Sequence, residues 1–417
     1  MALVDAKARP IASLILLFTG WKAFLLAIAL AAAVSPAYDT STSLFLAQLP
    51  DAPTAPFLAE KLTRWDALYF LHASAHGGKV YEQEWAFQLG FSQLVRLVSW
   101  PGGEPIMAIL AATLSHLGSV LVLHQLTMLV SRDSRLAFLT SVLHVLSPAG
   151  VFLSAPYAES SFAGLSFLGN WLFALGYEHA SEPWKRTCAI VGAGVVFGVA
   201  TGFRSNGLGS GVVFLVEALR CAAHFIERPT LGRLGRLVAP VVGGIVIAAG
   251  AAVPQFYIWQ RYCGEGHLRP WCEKTVPSIY SFVQEHYWNV GFLQYWTPEQ
   301  VPLFLLASPV LGLLIVSGTK VLLAPTSAFA VASFNGKQKV LVQTLAGVQA
   351  FIAMLAITNY HVQIVNRLSS AYVVWYWWIA SCLLQEKRRN LGLGVVTFFV
   401  MYAGIQAGLF ASFLPPA

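Results

Sequence analysis

The sequence predicts an all-α protein that crosses a membrane many times. Hydrophobic residues make up 57% of the chain and charged residues only 11%, against about 25% charged residues in soluble globular chains. The mean hydropathy is +0.64. The apolar residues come in runs of about 20, the length that a helix needs to cross a bilayer. The alternating strands of about ten residues that are typical of a membrane β-barrel are absent from the sequence.

We predict about eleven transmembrane helices, forming a single multi-pass membrane domain over residues 1–417. No sequence repeat, low-complexity linker or change of composition divides the chain. The first apolar run is longer than the roughly 7–15 residues of a signal-peptide core, so we expect it to remain as a helix. The predicted spans are 11–34, 105–130, 137–155, 160–177, 188–203, 207–220, 237–259, 301–321, 340–357, 368–385 and 391–412.

The distribution of charge predicts how the chain is oriented. Basic residues gather in the short loops of one side, which the positive-inside rule assigns to the cytosol. Two long loops rich in Trp and Tyr, about 35–104 and 260–300, then face the lumen. The spacing of apolar residues over 57–75 suits an amphipathic helix at the membrane surface. The net charge of +7 therefore reflects topology, and we expect no nucleic-acid partner.

The first long loop contains the most informative position, Asp66, which follows Arg64 and Trp65. A carboxylate near the bilayer needs a partner or a function. The spacing of Thr63 and Asp66 matches a capping box, in which the acid serves a helix N-terminus. Alternatively, the carboxylate takes a proton from a substrate hydroxyl as a general base. The two interpretations are compatible, because a cap would fix the carboxylate in space.

Other polar residues lie at predicted luminal turns. Glu159 either caps a helix or contacts a substrate hydroxyl. Arg204 interrupts two apolar runs, and an unpaired arginine at such depth costs about 2.5–3.5 kcal/mol. Its partner is either a substrate phosphate, which suits the guanidinium fork, or an acid, Glu159 or Asp66. His361, Gln363 and Arg367 share a third polar stretch, which favours binding of an anion or a sugar over a plain loop.

The remaining signals concern cysteines, histidines and acids of the two long loops. Cys263 and Cys272 lie in one polar loop and form a disulfide if it faces an oxidising lumen; otherwise they remain free thiols. His72 and His76 are four residues apart but lack the glutamate and the third ligand of a zinc site, so we expect no metal there. We expect the acidic segment 81–87 to form a solvated turn with an aromatic anchor.

Six stretches, in order and on one predicted side of the membrane, resemble the GPI mannosyltransferase 2 family of the PIG-V type. The resemblance extends across most of the chain. The stretches are Leu62-Thr63-Arg64-Trp65-Asp66-Ala67, Trp85-Ala86-Phe87, Ala158-Glu159-Ser160, Arg204-Ser205-Asn206-Gly207, Tyr287-Trp288-Asn289-Val290-Gly291-Phe292 and His361-Val362-Gln363-Ile364.

The resemblance implies a GT-C glycosyltransferase of the endoplasmic reticulum membrane with a luminal active site. Such an enzyme takes mannose from dolichyl-phosphate mannose. This family looks like the one that adds the second mannose, α1,6-linked, to the GPI precursor. No cofactor is implied, and no metal is demanded because the lipid phosphate carries less charge than a nucleotide diphosphate. The resemblance also leaves room for a small membrane partner subunit.

The family's Trp-Asp pair falls on Trp65 and Asp66, so we expect Asp66 to be the catalytic base, helped by Trp65. We expect Arg204 to stabilise the departing phosphate and Glu159 to contact the acceptor. The remaining candidates for substrate binding are His361, Gln363 and Arg367.

Three alternatives remain open at this point. The first is another dolichol-sugar-dependent transferase, which would use the same acid of the first loop. The second is a transporter or lipid flippase, although transporters often show paired broken helices at the midplane and here the polar residues crowd one face. The third is a non-catalytic scaffold, which would tolerate single changes at Asp66 or Arg204.

Overall fold

The computed structural model describes residues 7–32, 37–49, 57–264, 269–329 and 336–414, and in this part of the chain all regular structure is helical. Parts of both predicted luminal loops and of the predicted domain 1–417 lie outside these residues. The helices are α1 (Pro10–Ala31), α2 (Ser41–Gln48), α3 (Phe57–Leu62), α4 (Ala67–Ala75), α5 (Gly90–Val98), α6 (Glu104–Ser131), α7 (Ser134–Val145), α8 (Glu159–Glu178), α9 (Pro183–Phe203), α10 (Gly211–Glu227), α11 (Leu231–Cys263), α12 (Ile279–Trp288), α13 (Val301–Leu323), α14 (Pro325–Ala328), α15 (Gly336–Asn359), α16 (Val365–Leu368), α17 (Val373–Leu384) and α18 (Arg389–Ala411).

The described residues contain eight helices that are long and apolar enough to cross a membrane. They confirm a multi-pass membrane protein. Three further helices coincide with predicted spans but are not among the eight: α7 and α17 are short, with 12 residues each, and α8 has 20 residues. The predicted number of about eleven spans is therefore not confirmed, and the single domain over 1–417 stays a prediction.

The bundle has two ends of different character. At one end, here called the basic end, α6, α8 and α10 finish while α9, α11 and α15 begin. Contacts between these termini include the ion pair of Arg132 with Glu178 at 3.1 Å. The opposite end, here called the loop end, carries α2 to α5 and α12. The basic residues predicted to share one side of the membrane, such as Arg132 and Arg186, thus lie at one end of the bundle.

Helices α9 and α11 pack closely because glycines face each other. A Cβ atom on Gly194 would lie 2.4 Å from the Cα atom of Gly243, so no side chain fits between the two backbones. Small residues at helix contacts are a common device of membrane proteins, where close packing replaces the hydrophobic effect. This contact fixes the direction of α9 and hence the position of Arg204, which follows its last residue.

The predicted amphipathic helix over 57–75 is wrong as one continuous element. The segment forms the two short helices α3 and α4, separated by the turn 63–66. The break occurs because Trp65 adopts a left-handed backbone conformation, with φ of 56°, which an α-helix does not accommodate. The break places Trp65 and Asp66 in a turn between the two helices.

The acidic segment 81–87 is not a solvated turn. Residues Glu82–Ala86 form a 3-10 helix, in which Glu84 is 1% exposed and accepts the backbone N–H groups of Val80 and Tyr81. Glu84 also lies 2.5 Å from His72 Nδ1. The solvated turn was wrong because these acids bind distant side chains and backbone N–H groups. The spacing of residues in the sequence shows neither kind of partner.

Hydrogen bonds join the two long loops to each other at the loop end of the bundle. Glu82 accepts the Nε–H of Arg269 at 3.1 Å, the indole N–H of Trp271 at 3.2 Å and the hydroxyl of Tyr287 at 3.2 Å. Burial raises the pKa of Glu82, but these hydrogen bonds outweigh burial and leave the pKa below its usual value. Of the two alternatives for the cysteines, the structure has the disulfide between Cys263 and Cys272.

Candidate active site

A cavity of about 630 Å³ opens at the loop end of the bundle. Its walls come from the turn between α3 and α4, the start of α8, the end of α9, helix α12 and the segment that follows α15. Seven side chains that the sequence analysis singled out line this cavity together, although up to 302 positions separate them in the chain. They are Trp65, Asp66, Glu159, Arg204, His361, Gln363 and Arg367.

Contacts of Arg64 fix the turn that carries Asp66. The side chain of Arg64 is 1% exposed and lies 5.0 Å over the ring of Phe413. The hydroxyl of Tyr157 donates a hydrogen bond of 3.0 Å to the Arg64 carbonyl. A non-glycine residue in the left-handed region, such as Trp65, costs on the order of 1–3 kcal/mol, and these contacts offset that cost. Strain of this kind is concentrated at functional sites.

Asp66 does not act as a helix cap. It precedes α4, but its side chain makes no hydrogen bond with the first turn of that helix. Its Oδ2 atom instead accepts a hydrogen bond of 2.9 Å from Nη1 of Arg367. The capping-box prediction for Thr63 and Asp66 is therefore wrong, because a distant arginine binds this carboxylate.

Glu159 binds both arginines of the site. Its Oε1 atom lies 2.5 Å from Nη1 of Arg204 and 3.7 Å from Nη1 of Arg367. It stands in the first turn of α8, where the helix dipole favours a negative charge, yet its side chain makes no cap bond and turns toward the arginines. Two acids and two arginines thus form one chain of ion pairs, in the order Asp66, Arg367, Glu159 and Arg204.

The four charged side chains differ in exposed fraction, and this difference distinguishes their roles. Glu159 is 1% exposed, whereas Arg367 and Arg204 are 16% and 17% exposed and Asp66 is 32% exposed. Glu159 therefore acts as a buried counter-ion, while the other three present polar atoms to the cavity. The Oδ1 atom of Asp66 has no hydrogen-bond partner among the described residues, so it is free to accept a proton.

Arg367 is also fixed by aromatic rings. Its guanidinium lies 4.9 Å from the ring centroid of Phe152 and 5.2 Å from that of Tyr157, distances typical of cation–π contacts. Tyr157 thus supports both the turn before Asp66 and its arginine partner. Neither ring was among the predicted site residues, since the sequence carried no motif that linked them to position 367.

His361 and Gln363 lie in the segment that follows α15, where Val362–Ile364 form a 3-10 helix, and Tyr295 contacts both. The hydroxyl of Tyr295 is 3.2 Å from Oε1 of Gln363, and its ring packs edge-on against His361 at 4.9 Å. Burial lowers the pKa of His361, so the imidazole is neutral near pH 7. The only sequence signal for Tyr295 was its place in the aromatic second loop.

Aromatic rings form another wall of the cavity. Tyr69 stacks on Phe87 at 5.2 Å, and Phe87 lies 5.9 Å from Trp288. Burial, followed by the nearby charge of Asp66, raises the pKa of Tyr69, which keeps its hydroxyl protonated. Flat apolar rings beside hydroxyl and amide groups suit the two faces of a sugar.

The geometry supports proton transfer next to an anion. A partly exposed carboxylate and two partly exposed guanidinium groups line one cavity, and a buried carboxylate fixes both cations. The described part of the chain contains no group of three or more His, Cys, Asp and Glu side chains placed to hold a metal ion. The expectation that the reaction needs neither metal nor cofactor stays a prediction.

Two solved membrane proteins are similar to this bundle. The archaeal oligosaccharyltransferase AglB from Archaeoglobus fulgidus, in complex with an inhibitory peptide and a dolichol-phosphate, matches 94% of this chain and 56% of its own, with 12% identity and a TM-score of 0.47. ArnT from Cupriavidus metallidurans, bound to undecaprenyl phosphate, matches 95% of this chain and 76% of its own, with 18% identity and a TM-score of 0.38. Both likenesses are too distant to assign a function.

The sequence comparisons identify the family to which the chain belongs. The family model described as Mannosyltransferase (PIG-V) matches residues 9–417. A GPI mannosyltransferase 2 of Gibberella zeae is 52% identical over 424 residues and covers all of both chains. The GPI mannosyltransferase 2 of Chaetomium globosum is 45% identical and covers 98% of this chain and 97% of its own. That of Schizosaccharomyces pombe is 31% identical and covers 91% of this chain and 79% of its own. The chain belongs to the PIG-V mannosyltransferase family.

Proposed function

We propose that this mannosyltransferase adds the second mannose of the GPI precursor, in α1,6 linkage, with dolichyl-phosphate mannose as the donor. Three relatives named GPI mannosyltransferase 2 support the acceptor class. The donor and the linkage rest on the family resemblance and on the chemistry of the cavity. The observation that carries the proposal is the placement of Asp66 beside two arginines that share Glu159, in a single cavity.

The two arginines suit a sugar phosphate donor. A guanidinium offers a planar fork of N–H donors that matches phosphate oxygens. Arg204 and Arg367 both present this group to the cavity and share one buried counter-ion, Glu159. The two acids and two arginines of the cluster sum formally to zero charge, so a bound phosphate would add negative charge beside two fixed cations. Fixed donors of this kind stabilise charge that develops on a leaving group.

Asp66 suits the role of general base. In the transfer, the acceptor hydroxyl oxygen bonds to the anomeric carbon of mannose while the bond from that carbon to the donor phosphate oxygen breaks. The electron pair leaves with dolichyl phosphate, next to Arg204 and Arg367. The hydroxyl proton passes to the free Oδ1 atom of Asp66. A positioned base contributes typically about 10²–10⁴-fold to the rate of such a step.

Donor binding and base function are coupled through Arg367. This arginine donates a hydrogen bond of 2.9 Å to Oδ2 of Asp66. A donor phosphate would compete for the same guanidinium and draw it away from the carboxylate. Asp66 would then lose its positive neighbour at the moment when it has to accept a proton. This order of events makes donor binding precede deprotonation of the acceptor.

The luminal face of the endoplasmic reticulum is the proposed location of the cavity. The basic termini lie at one end of the bundle and the cavity at the other, which under the positive-inside rule supports a non-cytosolic position of the cavity. The disulfide between Cys263 and Cys272 suits an oxidising compartment. The small partner subunit stays a prediction.

Transfer by the purified chain tests this function. The full chain in lipid nanodiscs receives dolichyl-phosphate mannose and the one-mannose GPI lipid. We expect a product that is one hexose heavier and that an α1,6-specific mannosidase returns to the starting lipid. Reactions with dolichyl-phosphate glucose, or with an asparagine-linked-glycan precursor as acceptor, serve as controls. Product formed only with one of these control substrates would assign the enzyme to another dolichol-dependent transfer.

A further inference from the structure

A second cavity, of about 290 Å³, lies at the basic end of the bundle, at the opposite end from the candidate active site. It is formed at the start of α9, α11 and α15 and the end of α10. Five of its lining residues are cationic and one is acidic. The lining residues are Arg186, Glu217, Arg220, Cys221, His224, Arg233, Arg236 and Lys337.

This cavity is remote from the candidate active site. Both ends of α9 carry an arginine: Arg186 lies in its first turn and faces the second cavity, and Arg204 follows its last residue and faces the first. Eighteen residues separate them, which corresponds to about 27 Å along a helix. A molecule in the second cavity therefore touches neither Asp66 nor the sugar that is transferred.

The single acid does not neutralise the cavity. Glu217 is buried and is bound by Arg186 at 2.8 Å and by the hydroxyl of Tyr177 at 2.9 Å. Arg220 lies 3.9 Å from the same carboxylate, and its buried Nη1 atom has no hydrogen-bond partner among the described residues. The cavity thus contains one carboxylate and five cations, and that carboxylate is already paired with Arg186.

Among the residues that the structure describes, the other three cations make no ion pair with an acid. Arg233 and Arg236 donate to backbone carbonyls, those of His224 at 2.5 Å and of Ala180 at 3.0 Å. Lys337 lies 5.9 Å over the ring of Tyr177. The positive-inside rule explains why basic residues occur at this end, but it does not require them to converge on one cavity. Their convergence indicates a site for an anion that carries more than one charge.

The surroundings favour a lipid as the source of that anion. Ile226, in the last turn of α10, and Leu231, the first residue of α11, are 79% and 88% exposed. Each lies two positions along the chain from a lining residue of the cavity, His224 or Arg233. Clusters of basic residues at helix ends bind the headgroups of anionic lipids. We propose that the second cavity binds the phosphorylated headgroup of an anionic membrane lipid, whose acyl chains lie beside Ile226 and Leu231.

Binding of a fluorescent short-chain phosphatidylinositol 4-phosphate to the purified full chain in detergent micelles tests this proposal. The test variant carries Arg220→Gln and Lys337→Gln, which removes two cations but keeps the Arg186–Glu217 pair. The control variant carries Arg135→Gln and Lys387→Gln, which removes two exposed cations outside the cavity. Mannose transfer by both variants shows that they are folded.

We expect saturable binding of this probe and none of the matching phosphatidylcholine probe. Each cation near an anionic headgroup contributes about fivefold, so the test variant should bind roughly 25-fold more weakly, while the control variant stays within about twofold. Equal weakening in both variants, or an absence of saturable binding, would overturn the proposal. Inorganic phosphate that competes as strongly as the lipid itself would also overturn it, because the site would then take a free anion.

Discussion

The buried acid of the candidate active site gives the sharpest test of the ion-pair chain. Glu159→Gln keeps the shape of the side chain and removes its charge. Arg367 retains Asp66 as a partner at 2.9 Å, whereas Arg204 loses the only acid to which it is bonded among the described residues. The cluster changes from formally neutral to a charge of +1, so Arg204 is no longer fixed.

The expected loss of unfolding free energy in Glu159→Gln follows from the burial of the ion pair. Removing one partner of a buried ion pair costs about 3–5 kcal/mol. Arg204 is 17% exposed and lines the cavity, so we expect the lower end, a loss of about 3 kcal/mol of unfolding free energy. The donor phosphate would meet a mobile guanidinium, which we expect to raise the KM for dolichyl-phosphate mannose about tenfold, equivalent to about 1.4 kcal/mol of binding.

Thermal unfolding and donor titration of the purified variant measure both effects. Glu84→Gln is the matched control, because Glu84 is equally buried at the loop end and does not line the cavity. We expect both variants to lose stability and only Glu159→Gln to lose donor affinity. An unchanged donor KM in Glu159→Gln would refute the idea that this acid positions the arginines for the phosphate.

Three further predictions concern the cations, the disulfide and pH. Arg204→Lys should raise the donor KM about tenfold in the transfer assay, because an ammonium cannot bind phosphate with a planar fork; an unchanged KM would exclude this contact. Replacing Cys263 and Cys272 by Ser should lower the unfolding free energy by about 3 kcal/mol, from the entropy of a loop of about ten residues; an equal melting temperature would contradict this. Burial lowers the pKa of His361, so below about pH 6.5 the unfolded chain binds the extra proton and stability falls. His361→Gln should therefore flatten the decline in melting temperature between pH 7 and 5, and an unchanged decline would contradict this assignment.

The membrane class and the candidate site residues were accessible from sequence because both depend on local composition. A run of about 20 apolar residues specifies a span by itself, and a charged residue at its end is conspicuous. The number of spans was harder to predict, because α7 and α17 are short helices whose apolar runs continue into neighbouring turns. Length and hydropathy alone do not show where such a helix ends.

The partner of Asp66 was not accessible from sequence, whereas the ion pair of Arg204 with Glu159 was one of the two alternatives for that arginine. Asp66 and Glu159 both stand where a helix begins, and spacing alone favoured capping for each. Their actual partners, Arg367 in α16 and Arg204 after the last residue of α9, come near them only in the packed bundle. Burial and partner choice are tertiary properties, and they override a local propensity whenever a charge needs compensation.

The rate of a single turnover in Asp66→Asn measures the central claim most directly. The purified variant is preloaded with dolichyl-phosphate mannose and mixed with the one-mannose GPI lipid. Asp133→Asn is the matched control, since Asp133 caps α7 at the basic end and Asn caps equally well. We predict a rate about 10²–10⁴-fold lower for Asp66→Asn, with donor binding retained and the control unaffected. A rate for Asp66→Asn within twofold of the unmodified chain would contradict the account.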